Sequence, residues 1–256
     1  ISISRIVKAA WEAAGPHGSL SFIPAPLHRL DRYTSGVLAI SRSARGAAWF
    51  SRAIQERAIR KFYLGVCMGR LEEDAMWEDW LTAGGENGSS RGTGFHTVRQ
   101  VEANEETDGE DVGVLARTQV HPVSYGRRGQ AELTLVQYEL LTGRKHQIRA
   151  QSALHGHPLY GDAAYGGHVR TTLGSRNGSP AASKRTRSGD GIPGGRFFLH
   201  ALRLEFPPDN PLSLPEQIEA PLPEAFAAFI RLFSNQKLAK VPVCPYNERK
   251  GYEFIF

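Results

Sequence analysis

The chain has 256 residues, of which 41% are hydrophobic and 22% charged, with a formal net charge of +5 and a sequence pI of about 9.3. Such length and composition allow a sizeable buried core and exclude collagen-like, low-complexity and disulfide-stapled chains. Two cysteines, Cys67 and Cys244, build neither a disulfide framework nor a Cys-based zinc site, and no apolar run reaches the length of a membrane-spanning helix.

Arg5 to Ala14 reads as a short helix, followed by Gly15-Pro16 and a loop with Pro24 and Pro26. Val37 to Ile40 is expected as a short apolar strand after a turn at Ser35-Gly36. Ser43 is placed to cap a helix running to about Glu56, with Ala47, Phe50 and Ala53 or Ile54 at helical spacing. Lys61 to Met68 reads as a strand in which Phe62, Leu64 and Val66 alternate with Tyr63, Gly65 and Cys67.

Residues 72–130 read as an acidic, loop-rich insertion, because 72–111 holds twelve Asp and Glu against two Arg. That stretch carries −10, so the rest of the chain carries +15, and the hidden basicity favours a polyanionic partner such as nucleic acid. Ala131 to Leu141 returns to strand grammar, and His146 to His155 fits a helix closed by Gly156, with Pro158 beyond. Residues 168–196 form a second insertion, rich in Gly and Ser and containing Lys184, Arg185 and Arg187. Phe197 to Phe206 is another strand, and Pro223 opens a last amphipathic helix with Leu222, Phe226, Phe229, Ile230 and Phe233 on one face.

There is no internal repeat. Strands separated by helices and long excursions imply an α+β fold with a mainly antiparallel or mixed sheet. Few cysteines suit a reducing compartment. The start at Ile1 rather than Met, together with the basic body, sets the expectation of an organelle-imported, mitochondrial protein, with a cytoplasmic one as the alternative.

Three segments carry chemistry. His28-Arg29-Leu30-Asp31-Arg32-Tyr33-Thr34-Ser35-Gly36 sets a carboxylate between two arginines ahead of a turn. Nearby arginines hold an Asp ionised, ready to act as nucleophile or base, and arginines also contact phosphates; a surface turn with incidental ion pairs is the plain alternative. Thr142-Gly143-Arg144-Lys145-His146-Gln147-Ile148-Arg149 lies at a strand-to-helix junction, where a helix N-terminus and basic side chains suit an anion; a solvated basic helix is the plain alternative. Gly156-His157-Pro158-Leu159-Tyr160-Gly161-Asp162, with Tyr165-Gly166-Gly167 after it, reads as a shaped structural loop.

The order and wording of these segments resemble the RluA-type family of RNA pseudouridine synthases. Residues 28–36 resemble its HRLD-and-TSG signature, and residues 142–162 its TGR-x-HQ-I-R and GHP-x-x-GD pattern. Lys61-Phe62-Tyr63-Leu64 looks like its Lys-x-Tyr-Leu strand, and Leu199-His200-Ala201 like its Leu-His-Ala strand. The resemblance covers residues 27–206 apart from the two insertions, with 207–256 as an extension. It adds the expectation of a single domain over residues 1–256, with a central mixed, mostly antiparallel sheet, flanking helices and an active-site cleft. The family's Asn-Lys-Pro-x-Gly turn has no counterpart here, and Gln151 stands where a His is commoner.

The resemblance implies isomerisation of uridine to pseudouridine within structured RNA. Asp31 is then the essential carboxylate, acting on the sugar as nucleophile or, in a glycal route, as base. Tyr63 stacks on the flipped uracil and assists proton movement, Arg149 pairs with the aspartate, and Leu199 supplies an apolar wall. Arg29 helps displace the target nucleotide, while Arg32, Arg144, Lys145, His146 and Gln147 bind RNA. No metal or other cofactor is implied, because uracil migration is internally balanced, and His155 and His157 are expected to be structural. Ribosomal RNA is preferred over transfer RNA as partner, with ribosomal-subunit or assembly-factor proteins as further partners and no membrane.

The rival is a non-catalytic RNA-binding factor of ribosome assembly that uses the fold as a scaffold. A kinase is a distant third reading, because the Asp of His28 to Asp31 is displaced by one from a kinase catalytic loop and no Val-Ala-Ile-Lys or Asp-Phe-Gly element follows. Gly189 to Gly194 spells GxGxxG but neither follows a strand nor opens a helix, so it is no dinucleotide site.

Overall fold

The computed structural model describes residues 3–13, 22–81, 113–167, 197–231 and 233. In chain order the elements are α1 (Ile3–Ala13), β1 (Ala25–Pro26), β2 (Ser35–Gly36), β3 (Ile40–Ser41), α2 (Ala44–Gln55), β4 (Arg60–Met68), β5 (Ala75–Leu81), β6 (Val114–Arg128), β7 (Ala131–Leu140), α3 (Gln147–Leu154), β8 (Leu199–Glu205), β9 (Gln217–Glu219) and α4 (Glu224–Ile230). Seven strands form one sheet in the order β2-β8-β4-β7-β6-β5, with β9 also paired to β8. Among the described residues only β2–β8 is parallel, so the sheet is mixed and mostly antiparallel.

β4 is buried at seven consecutive positions, Lys61 to Cys67. Its period-2 pattern does not separate a wet face from a dry one. It sorts residues between two cores. Leu64 and Val66 pack with Leu133, Leu135 and the α4 residues Phe226, Phe229 and Ile230. Tyr63 and Cys67 face the other way, against Trp77, Val136, Tyr138, Leu199 and Ile148 of α3. A central strand covered on both faces reads as a continuous apolar run. A third cluster joins Phe50 and Ala53 of α2 to Leu204 and Phe206.

Several sequence expectations need correction. Residues 72–130 are not simply an insertion: β5 and β6 form the far edge of the sheet and pair in register from Ala75↔Val120 to Leu81↔Val114. The acidic count obscured this, since Glu78 alternates outward while Asp79 is buried. A two-residue turn joins β6 to β7, and Gly129 provides its positive φ of 59°. Val37 to Ala39 form no strand; β2 and β3 flank them, because Ser35 and Gly36 are drawn onto β8. α3 starts at Gln147, one residue later than expected, because His146 adopts φ 54°. The Ser43 cap is as expected, its side chain accepting from the Gly46 amide. The basic stretch 168–196 lies outside the described residues.

Candidate active site

The loop carrying Asp31 is fixed at both ends. At one end, Leu27 donates its amide to the Ala39 carbonyl, and the Ala39 amide donates to His28 Nε2 at 3.0 Å. Burial and the Lys61 charge push the His28 pKa down to about 4, so the imidazole stays a neutral acceptor. At the other end, β2 lies against β8, and Ser35 Oγ hydrogen-bonds His200 Nδ1 at 2.8 Å. His200 Nε2 donates to the Ala220 carbonyl, and burial lowers this residue's pKa as well. Gly36 has φ 111°, and a Cβ there would lie 2.1 Å from the Ala201 carbonyl oxygen, so only glycine permits this approach. Between the anchors the Thr34 amide donates to the Asp31 carbonyl and turns the carboxylate inward.

Asp31 lines a cleft of about 320 Å³ together with Tyr63, Lys61, His146 and Leu199. Its two oxygens are bracketed. Arg149 Nη1 lies 3.7 Å from Oδ2, and His146 Nε2 lies 3.8 Å from Oδ1. Arg149 is itself held elsewhere: Nε and Nη2 donate to the two carboxylate oxygens of Asp162 at 2.6 and 2.9 Å. This two-pronged pair leaves only Nη1 for Asp31. The guanidinium also lies 4.5 Å from the Phe197 ring centroid and 4.9 Å from that of Tyr165. Burial opposes its charge, but the hydrogen bonds and charge of Asp162, with Asp31 adding, leave its pKa raised.

Tyr63 is 8% exposed, and burial with the Asp31 charge raises its pKa, so it remains a protonated phenol. His146 Nδ1 meets the Tyr165 hydroxyl at 3.1 Å. Its left-handed backbone is a strained conformation, costing about 1–3 kcal/mol, at the point where the loop turns into α3.

Asp31, Tyr63 and Leu199 therefore line one cleft, and Arg149 lies beside Asp31. Arg29, Arg144 and Lys145 line the cleft, with Arg29 and Arg144 exposed. Arg32 does not line it; its guanidinium lies 5.4 Å from the Tyr33 ring centroid. Gln147 was expected to bind RNA but is 2% exposed with its amide fully used. Its Oε1 accepts from the Arg144 amide and the Thr142 hydroxyl, and its Nε2 donates to the Arg117 carbonyl and Thr118 Oγ1. It shapes the loop and has no valence left for a ligand.

Asp162, Lys61 and Tyr165 belong to the site and were missed as such. The signal for Asp162 was its place at the end of the GHP-x-x-GD segment. Gln151, the departure from the commoner His, is also explained. It accepts from Thr118 Oγ1 at 2.6 Å and donates to Asp79 at 2.7 Å, and His155 joins the same carboxylate at 3.0 Å. His155 stacks on Trp77 and His157 contacts the Met68 carbonyl, which are structural roles.

The sequence model of the family described as RNA pseudouridylate synthase matches residues 4–154, more than half of the chain. The chain belongs to this family. Its relatives are of the RluA type. A Vibrio vulnificus protein named ribosomal large subunit pseudouridine synthase D is 30% identical over 199 residues, covering 77% of this chain and 52% of the relative. A tRNA pseudouridine synthase C from Pectobacterium carotovorum is 29% identical over 198 residues, covering 76% and 47%. The chain thus spans about half the length of such relatives. A solved structure, human RNA pseudouridylate synthase domain containing 4, shares the fold with a TM-score of 0.61 at 18% identity, covering 94% of this chain and 85% of that one. The family match starts at residue 4, inside α1, so the likeness reaches further towards the N-terminus than residue 27.

Proposed function

We propose that the protein isomerises uridine to pseudouridine in structured RNA, with Asp31 as the carboxylate that acts on the ribose. The observation that carries this reading is that Asp31 and Tyr63, from separate segments, line one cleft while Arg149, from a third, lies 3.7 Å from the Asp31 carboxylate, in a chain of this family. A uridine inside an RNA stack has to be extruded before its C1′ is accessible. The Tyr63 ring then offers a stacking face worth about 1–3 kcal/mol. As a protonated phenol, Tyr63 enters the reaction as a hydrogen-bond donor. Arg149, locked by Asp162, keeps a positive charge beside Asp31 without closing over it, which leaves the carboxylate free to attack C1′ or to remove the C2′ proton. Exposed Arg29, Arg32 and Arg144 and the half-buried Lys145 meet phosphates around the flipped nucleotide.

Ribosomal RNA is the preferred substrate in this proposal. The relative named for the large ribosomal subunit and the relative named for tRNA mark the two substrate classes to be compared. The proposal includes a mitochondrial setting and a part in ribosome biogenesis. Pseudouridine mapping of total and organellar RNA from cells carrying wild-type protein or Asp31→Asn tests all of this together. A site lost in the variant names the substrate. An unchanged map, with ribosome assembly impaired only when the whole protein is deleted, would replace this reading with the scaffold one.

A further inference from the structure

Lys61 is a buried charge to which the proposed reaction has so far given no role. It lies two residues before Tyr63 on β4. The β4–β7 register runs without interruption through Phe62 and Tyr63, while the irregularity in the β4–β8 pairing falls at Leu202. Lys61 and Tyr63 therefore project from the same face of the strand. Both line the cleft that holds Asp31, and Lys61 is only 8% exposed.

The ammonium is poorly compensated. Among the described residues its one hydrogen-bond contact is the Thr142 carbonyl at 3.5 Å, at the limit of a hydrogen bond. Among the described residues no carboxylate lies within 4 Å of it. Burial lowers its pKa, as expected of a desolvated amine that lacks an acidic partner. A buried, unpaired lysine is disfavoured in a folded protein unless something that binds there supplies the missing charge.

The proposed reaction creates such a charge. When the N1–C1′ bond breaks, its electron pair stays on N1 and the uracil becomes an anion, its charge shared with the O2 and O4 carbonyls. The sugar either forms an ester with Asp31 or gives its C2′ proton to Asp31. C5 of the uracil then bonds to C1′, either as the ester bond to Asp31 breaks or as C2′ takes its proton back from Asp31; the C5 proton leaves and N1 takes up a proton, so the sum is an isomerisation. During the anionic stage the cleft must stabilise a negative base beside a carboxylate. Arg149 cannot turn to it, because Asp162 holds two of its nitrogens and the third faces Asp31.

We propose that Lys61 is a further catalytic residue, whose ammonium hydrogen-bonds a carbonyl oxygen of the departing uracil and stabilises the anion while the base turns over Tyr63. The inference rests on the uridine reading of the cleft. A preorganised donor aimed at developing charge contributes a factor of about 10²–10³ to the rate.

The test uses the full chain in single-turnover reactions with a mixture of unmodified ribosomal and transfer RNA transcripts, made with uridine or with 5-fluorouridine. Fluorine stabilises the uracil anion without help from the protein. It also blocks loss of a proton from C5, so consumption of the starting nucleoside is measured. Lys61→Met should slow uridine consumption by about 10²–10³ but 5-fluorouridine consumption at least about tenfold less, with RNA affinity unchanged. Lys61→Arg should recover part of the rate, and it keeps the test valid if the Met variant folds poorly. Equal losses on both substrates would overturn the inference, as would weakened RNA binding with an intact single-turnover rate. An inert wild-type protein would sink the uridine reading itself, and this inference with it.

Discussion

Among single residues, the proposed chemistry depends on how Asp31 is held ready. Asp162 is the test of that arrangement. Asp162→Asn leaves a buried guanidinium with half its partnership, and breaking one side of a buried ion pair costs about 3–5 kcal/mol. The expected result is a lower urea midpoint together with a reduced rate, since Arg149 is then free to close onto Asp31. RNA affinity should stay near wild type, because Asp162 is buried away from the rim. His28 gives a pH signature. Its folded pKa of about 4 lies below the ordinary 6.5, so between these values the unfolded chain binds a proton that the folded chain refuses. Stability is therefore full above about pH 6.5 and declines as pH falls towards 4. Urea titrations across that range should show the decline, and His28→Asn, which keeps an acceptor for the Ala39 amide, should flatten it.

At the scale of elements, the site is three segments pinned to one sheet. Gly36→Ala drives a methyl into the Ala201 carbonyl and detaches β2 from β8; we expect a loss of about 3 kcal/mol or more in a urea melt and a displaced Asp31. Phe226→Ala opens the core under α4 and should cost about 3–5 kcal/mol without changing the denaturant slope. The sequence revealed elements whose signals are local. The Ser43 cap, the β4 run and the Pro223 start of α4 were all readable from a few adjacent residues. β5 and β6 were not, because Asp79 looks like part of a solvated acidic loop until Gln151 and His155, more than seventy positions away, hydrogen-bond its Oδ2. The short strands β2 and β3 escaped for the same reason: two residues become a strand only because β8 is there to pair with one of them and β1 with the other.

At the scale of the whole molecule, charge and site act together. Residues outside the acidic stretch carry +15, and Arg29, Arg144 and Lys145 line the cleft. RNA affinity should therefore fall steeply with salt, and Arg144→Ala should reduce the slope of log affinity against log salt by about 0.7–0.9, one phosphate contact. The motifs pointed to Asp31, Tyr63 and Arg149 because each sits in a short, ordered word in the chain. They did not show that Arg149 is shared between Asp162 and Asp31, or that Gln147 has no free valence, since both follow from packing between distant segments. The most direct test of the central claim is release of the uracil C5 hydrogen from labelled RNA by purified wild-type protein and by Asp31→Asn. The wild type should release it and the variant should not, with RNA binding retained in both. Release by Asp31→Asn at the wild-type rate would contradict the claim.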